Sequence, residues 1–238
     1  MAVTRLWLIR HGESEGNVAA SEAERAGSPV IALDIRDADV ELSTTGREQA
    51  DALGTWLRSV ASGVDEYWVS PYRRARQTLA IALDEVPGAA PTRADERLRD
   101  RELGILDLLT WQGVQEIHPE EAARRRHLGK FFHRPPGGES WADVALRLRS
   151  FLGEALERPG PTALVVAHDA VIMLMLYVLL PLDEAELLAF AAEHTVRNAS
   201  VTELVRDEDG WKLVTFSSVD HLEREGADVT VHSGEDDV

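Results

Sequence analysis

The chain has 238 residues, with 42 acidic against 25 basic side chains and a formal net charge of −17. Such a balance argues against a nucleic-acid or anionic-membrane partner, because a strongly negative surface repels polyanions. There is no cysteine, which excludes disulfides, thiolate zinc sites and a cysteine nucleophile.

Length and ordinary apolar content suit one α/β domain with a sizeable core. Residues 3–9 are continuous and apolar, the pattern of a strand buried on both faces. They lead into Arg10, His11 and Gly12. Their apolar run is too short for a signal peptide and no small-residue cleavage site follows, so a cytoplasmic location is expected. Residues 21–39 hold Gly27, Ser28 and Pro29 and read as an irregular surface excursion. "LSTTGREQADALGTWLRSVA" predicts a helix, with Thr45 and Glu48 as capping box and Ala50, Leu53, Leu57 and Val60 on one face. Residues 67–69 read as a short strand, and Pro71 opens a second helix, "PYRRARQTLAIAL". "PGAAPT" breaks the chain, and "ERLRDRELGILDLLT" reads as a short extended piece and loop.

Residues 114–128 predict a polar helix carrying Arg124, Arg125, Arg126 and His127. Ser140 and Asp143 form a capping box ahead of "WADVALRLRSFLGEAL". Residues 163–167 are a buried strand ending at His168, and Asp169 suits the cap of the helix "AVIMLMLYVLL". That apolar segment is too short to span a bilayer. Residues 201–205 and 211–216, joined by "RDEDG", predict a hairpin at the sheet edge. The acidic stretch 223–238 reads as a tail that frays, leaving 1–222 as a single domain.

Alternating strands and helices predict an α/β fold, a three-layer α/β/α sandwich around a mostly parallel mixed sheet. Ligands of such sheets bind beyond the carboxyl ends of the strands. Three strand-like runs end in reactive chemistry: Arg10 and His11, then Ser70 with Arg73 and Arg74 one turn on, then His168. As parallel neighbours they would gather two imidazoles and at least two guanidiniums in one cleft, which suits a phosphoryl group. Flanking cations would keep an imidazole neutral and nucleophilic. Backbone N–H groups near Gly12 are expected to add donors, and Gly12 to let the chain turn closely around a phosphate.

"RHGES", "SPYRRARQT", "LRDRELG", "GGESWADV" and "VVAHD" stand in the order and approximate spacing of the motifs of the histidine phosphatase superfamily, the phosphoglycerate mutase-like group. The chain resembles that family over roughly residues 3–204. The group includes mutases, fructose-2,6-bisphosphatase and many small-molecule phosphatases. The resemblance implies that His11 is the nucleophile that becomes phosphohistidine. It implies Arg10, Arg74 and His168 as the phosphate pocket, and Asp100 rather than Glu102 as general acid. Protonated Asp100 requires a raised pKa. Ser14, Asn17 and Arg101 match substrate contacts of the mutases, and Glu139 and Ser140 lie near the site by the same resemblance. Asp169 stands where the family has glycine, and is expected either to cap its helix or to touch the leaving group. Tyr72 replaces a leucine, and Asp100 a glutamate.

The implied activity is a histidine acid phosphatase-type hydrolase acting on a small phosphorylated metabolite, with no metal and no cofactor. A phosphoglycerate mutase is the alternative, and a non-catalytic phospho-ligand module a further one. Leu103 in place of the mutase tyrosine, with Leu108 and Leu109, favours hydrolysis. Arginines outside the phosphate pocket suggest a second anionic group on the substrate; Arg124 to Arg126 read either as a solvated helix face or, by the resemblance to the mutases, as substrate arginines. A homodimer is left open.

Overall fold

The computed structural model describes residues 2–60 and 63–232. Six strands form one sheet in the order β3-β2-β4-β1-β5-β6. They are β1 (Arg5–Arg10), β2 (Glu66–Val69), β3 (Thr92–Ala94), β4 (Thr162–Ala167), β5 (Val201–Asp207) and β6 (Gly210–Ser218). β1, β2, β3 and β4 pair in parallel, and β5 joins β1 antiparallel. The expected hairpin, β5 and β6, closes that edge.

The strands alternate sides, as the period of two requires. Leu6, Leu8, Val165 and Ala167 face one core with α6 (Trp141–Ala155), α7 (Asp169–Leu179) and α8 (Glu184–Glu193). Trp7, Ile9, Leu164 and Val166 face the other core, against α2 (Thr44–Val60) and α3 (Arg73–Asp84). Both faces are covered, which explains why β1 and β4 are apolar without interruption. The three layers are those the sequence predicts.

Local starts differ from expectation in several places, among them α3, which begins at Arg73 behind Tyr72 as N-cap and not at Pro71. Glu15–Ala26 is a helix, α1, where residues from 21 onward read as irregular. Ser14 caps it in a box with Asn17, and Gly27 ends it in the left-handed conformation at φ 62°. Helix α2 is capped by Ser43, whose hydroxyl accepts from Gly46 N at 3.0 Å, and not by Thr45. The Ser140–Asp143 box opens α6 as predicted. The polar helix is two pieces, α4 (Trp111–Ile117) and α5 (Pro119–Phe132), divided at His118.

The expected fraying of the tail is also corrected over the residues described. Asp220–Glu225 forms α9. Beyond it, Asp228 O and Thr230 Oγ1 accept from the Gln49 side chain at 2.8 and 2.9 Å. Asn198 N donates to Thr230 O, and His232 Nε2 donates to Glu13 at 2.7 Å. Residues 233–238 lie outside the described residues. Among the described residues no helix is long and apolar enough to cross a membrane.

Candidate active site

The sheet register brings the three strand ends level. Arg10 pairs with Ala167, and Val69 with Val166. His11 N donates to Ala167 O at 3.0 Å, and Ser70 N to Val166 O at 2.9 Å. His11 and His168 therefore emerge side by side, with ring centroids 5.2 Å apart. His168 shares a hydrogen bond with the Ser70 hydroxyl at 2.8 Å. From the first turn of α3, Arg74 reaches back and donates from Nε to His11 Nε2 at 3.2 Å.

The tautomer of His11 follows from its partners. Nδ1 lies 2.7 Å from Gly12 O, which can only accept, so Nδ1 carries the proton. Nε2 keeps its lone pair. The imidazole pKa lies well below the usual value, from burial first, then from Arg74, His168 and Arg10. His11 is thus neutral in a cationic setting, the state in which an imidazole is a nucleophile.

Arg10 and Arg74 are buried beside it. Arg10 Nη1 donates to Val196 O at 2.5 Å and to His232 O at 3.1 Å, so the tail helps hold this guanidinium. Arg10 Nε is buried without a hydrogen-bond partner. Arg74 donates through Nη1 to Asp37 O and Oδ1, both at 2.7 Å. Through Nη2 it donates to Asp37 Oδ2 at 3.1 Å and to Asp100 Oδ2 at 2.8 Å.

Asp100 lies beside Arg74 and His168 at the cavity. Burial pushes its carboxyl up, but His168 and Arg74 outweigh burial and hold it well below the usual carboxylate range. Oδ2 lies 3.1 Å from His168 Nδ1. In this setting Asp100 is an anion and not the protonated acid. Glu102, its competitor for the role, accepts from the Tyr72 hydroxyl at 2.8 Å. Tyr72, which replaces a leucine, packs its ring 5.2 Å from His168 and 5.1 Å from the Arg74 guanidinium.

Other predicted groups divide. Ser14 and Asn17 line the cavity while serving as the cap of α1. Arg101 lines it too, and its Nε donates to Glu139 O at 2.7 Å. Asp169 lines it as the first residue of α7 and not as its N-cap. Oδ1 accepts from Ala170 N at 2.6 Å, and Oδ2 is 3.7 Å from Arg10 Nη2. Arg124, Arg125, Arg126 and His127 are not among the cavity-lining residues. Arg124 pairs with Glu121 at 2.8 Å, and Arg125 lies over Trp111. Glu139 braces the acid loop by pairing with Arg99 and Arg147.

The donors expected near Gly12 are already engaged. Gly12 N donates to Thr78 Oγ1 at 3.0 Å, and Glu13 N to Gln49 Oε1 at 2.8 Å. Gly12 is required for another reason. A Cβ there would stand 2.5 Å from Gly46 O, and one on Gly46 would stand 1.9 Å from Glu13 O. The strand-end loop and the head of α2 touch backbone to backbone, which locks His11 in place.

The cavity encloses about 170 Å³. Its outer wall comes from residues 31–37, which no motif covers, and residues 102–109, of which only 102–104 belong to a motif. Ile31, Leu33, Leu103, Leu108 and Leu109 supply apolar surface, and Asp37, Glu102 and Asp107 supply carboxylates. Ile31 N donates to Leu108 O at 2.9 Å, which ties the segments together. Leu108 has φ 58°, a left-handed conformation that costs a bulky residue about 1–3 kcal/mol.

Residues 6–219 match the histidine phosphatase superfamily (branch 1), and the chain belongs to that superfamily. The expected label of histidine acid phosphatase names a different family and is replaced by this one. A Yersinia enterocolitica protein named probable phosphoglycerate mutase is 28% identical over 233 residues, covering 94% of this chain and 97% of its own. The Gallus gallus 6-phosphofructo-2-kinase/fructose-2,6-bisphosphatase is 33% identical over 182 residues, 76% of this chain. The match spans only 34% of that longer relative. A mycobacterial glucosyl-3-phosphoglycerate phosphatase, solved with inorganic phosphate, superposes with a TM-score of 0.70 at 26% identity. That superposition covers 92% of this chain and 99% of the mycobacterial one.

Proposed function

We propose that the protein is a phosphomonoester hydrolase that works through a phosphohistidine on His11. The observation that carries this reading is the His11 tautomer: Nδ1–H is fixed on Gly12 O, and the unprotonated Nε2 accepts from Arg74 Nε, which the incoming phosphoryl oxygens would take over. In the first step Nε2 attacks phosphorus in line and the ester P–O bond breaks. Arg10, Arg74 and His168 spread the charge of the equatorial oxygens.

The leaving alkoxide takes a proton from Asp100. A phosphoryl dianion arriving at Arg74 competes with Asp100 for Nη2 and adds like charge beside it. Both effects push the carboxyl up from its low resting value. In the second step Asp100 accepts a proton from water. The hydroxide attacks phosphorus, the P–N bond breaks, and phosphate and neutral His11 are restored. The substrate is a small phosphorylated metabolite. No metal and no cofactor enters this scheme.

The mutase reading shares the first step, and chain-length relatives carry that name. It differs in returning the phosphoryl group to a bound intermediate instead of to water. The test is a panel of phosphorylated metabolites, scoring phosphate release beside conversion of 3- to 2-phosphoglycerate. An acid-labile, base-stable phosphoenzyme is expected, with release dominant. Conversion without release would overturn the proposal.

A further inference from the structure

The cavity divides into a cationic floor and an acidic, apolar wall. Three arginines line it, Arg10, Arg74 and Arg101. Every N–H of Arg74 is engaged: Nε with His11, and the four terminal hydrogens with Asp37 and Asp100. A phosphoryl group reaches the terminal nitrogens of Arg74 by displacing Asp37 or Asp100, of which Asp37 is the more exposed, while Nε is released when His11 Nε2 attacks. Arg10 Nε is the floor's buried donor without a partner.

Arg101 directs its Nε to Glu139 O. Its charge is also felt by buried His133, whose pKa is lowered by burial first and by Arg101 among the nearby charges. The guanidinium therefore lies toward that side of the cavity. Asp37, Glu102 and Asp107 also line the cavity, close enough for Asp107 to feel both of the others. The Asp107 carboxyl is pushed up, by burial first and then by Asp37, as expected where carboxylates gather.

We propose that Asp37, Glu102 and Asp107 exclude a second anionic group, so that the substrate is the phosphate ester of an uncharged alcohol with an apolar face. This rests on the hydrolase reading and names its substrate class. A carboxylate or second phosphate on the alcohol would face these three carboxylates. An uncharged alcohol meets no such field, and Ile31, Leu33, Leu108 and Leu109 cover its hydrocarbon.

The test uses two esters of equal size, glycerol 3-phosphate and 3-phosphoglycerate, which differ by a hydroxymethyl group against a carboxylate. In the wild-type protein kcat/KM for phosphate release is expected to favour glycerol 3-phosphate by about tenfold or more. In the triple variant Asp37→Asn/Glu102→Gln/Asp107→Asn the ratio should fall to about threefold or less, chiefly through KM for 3-phosphoglycerate. The single variant Asp107→Asn should move it in the same direction. A wild-type preference for 3-phosphoglycerate, or a ratio unmoved by the variants, would overturn the proposal. If no ester is hydrolysed, the hydrolase reading falls on its own. Calorimetric Kd values for the two esters then decide the exclusion: weaker binding of 3-phosphoglycerate supports it, and equal or tighter binding ends it.

Discussion

His11 and His221 are both buried imidazoles held below their usual pKa, and they do different things. His221 sits on α9 and donates from Nε2 to Ala199 O at 3.0 Å, with Trp56 at 6.2 Å. Burial is its main cause of depression, and its pKa falls to about 4. For His11 burial also comes first, but Arg74, His168 and Arg10 follow. A single residue links the two, because Ala199 N donates to His11 O at 3.1 Å. A low histidine pKa therefore marks only burial. The cations around the ring, and the cavity in front of it, are what separate chemistry from packing.

The sharpest way to break this comparison is to remove each ring in turn. His11→Ala should lower p-nitrophenyl phosphate turnover by about 10⁴-fold or more. Its unfolding midpoint should move only a few degrees, on the order of 2–4 °C. Retained turnover in a clean preparation would sink the nucleophile assignment. The pH profile carries the same information without a substitution. Neutral His11 is the active form and its pKa is depressed. Protonation of His11 therefore gives no acid limb near the ordinary value of about 6.5, and kcat/KM falls only at lower pH. A limb near 6.5 that disappears in no other variant would mean that the cations do not act on this ring.

The floor of the cavity was legible in the sequence, and of its wall only Leu103, Leu108 and Leu109 were. Strand ends are readable because an uninterrupted apolar run must be a doubly covered strand, and the residue after it must lie at the sheet edge. That logic places His11, Ser70 and His168 before any coordinates. The wall depends on which loops fold over the edge, and loop paths leave no periodic signal. Asp37, Ile31 and Leu33 lie in the stretch read as an excursion. The charge state of Asp100 depends on the distances to Arg74 and His168, which no motif encodes. One missed element did leave a trace, since Ser14-x-x-Asn17 is a capping pattern at the head of α1. The tail contacts left none, because they join residues about two hundred positions apart.

That tail runs from α9 to Arg10 and so spans the ground between the two histidines. Its expected effect is intermediate. Thr230→Ala/His232→Ala removes side-chain bonds to Gln49, Asn198, Ser21 and Glu13 while keeping the chain intact. Abandoned buried partners cost about 1–3 kcal/mol each. Loosening should also release the His232 carbonyl from Arg10. A loss of about tenfold in kcat/KM is expected, with a matching rise in the Kd of inorganic phosphate. Unchanged phosphate binding would show that Val196 O alone positions Arg10.

The smallest effect on catalysis belongs to His221. His221→Gln can keep a donor toward Ala199 O but cannot titrate. With a folded pKa of about 4 and an unfolded value of about 6.5, the unfolded chain binds the proton first as pH falls. The wild type therefore loses stability between those two values, by about 3 kcal/mol in all, and this group adds no further loss below. Thermal unfolding of the wild type should drop by roughly 6–12 °C more than that of the variant across this window. Turnover at neutral pH should be equal within about threefold, since Ala199 still holds His11 O. If His221→Gln instead lowered kcat while leaving acid stability alone, the link through Ala199 would be part of how His11 is aimed, and the two histidines would belong to one site.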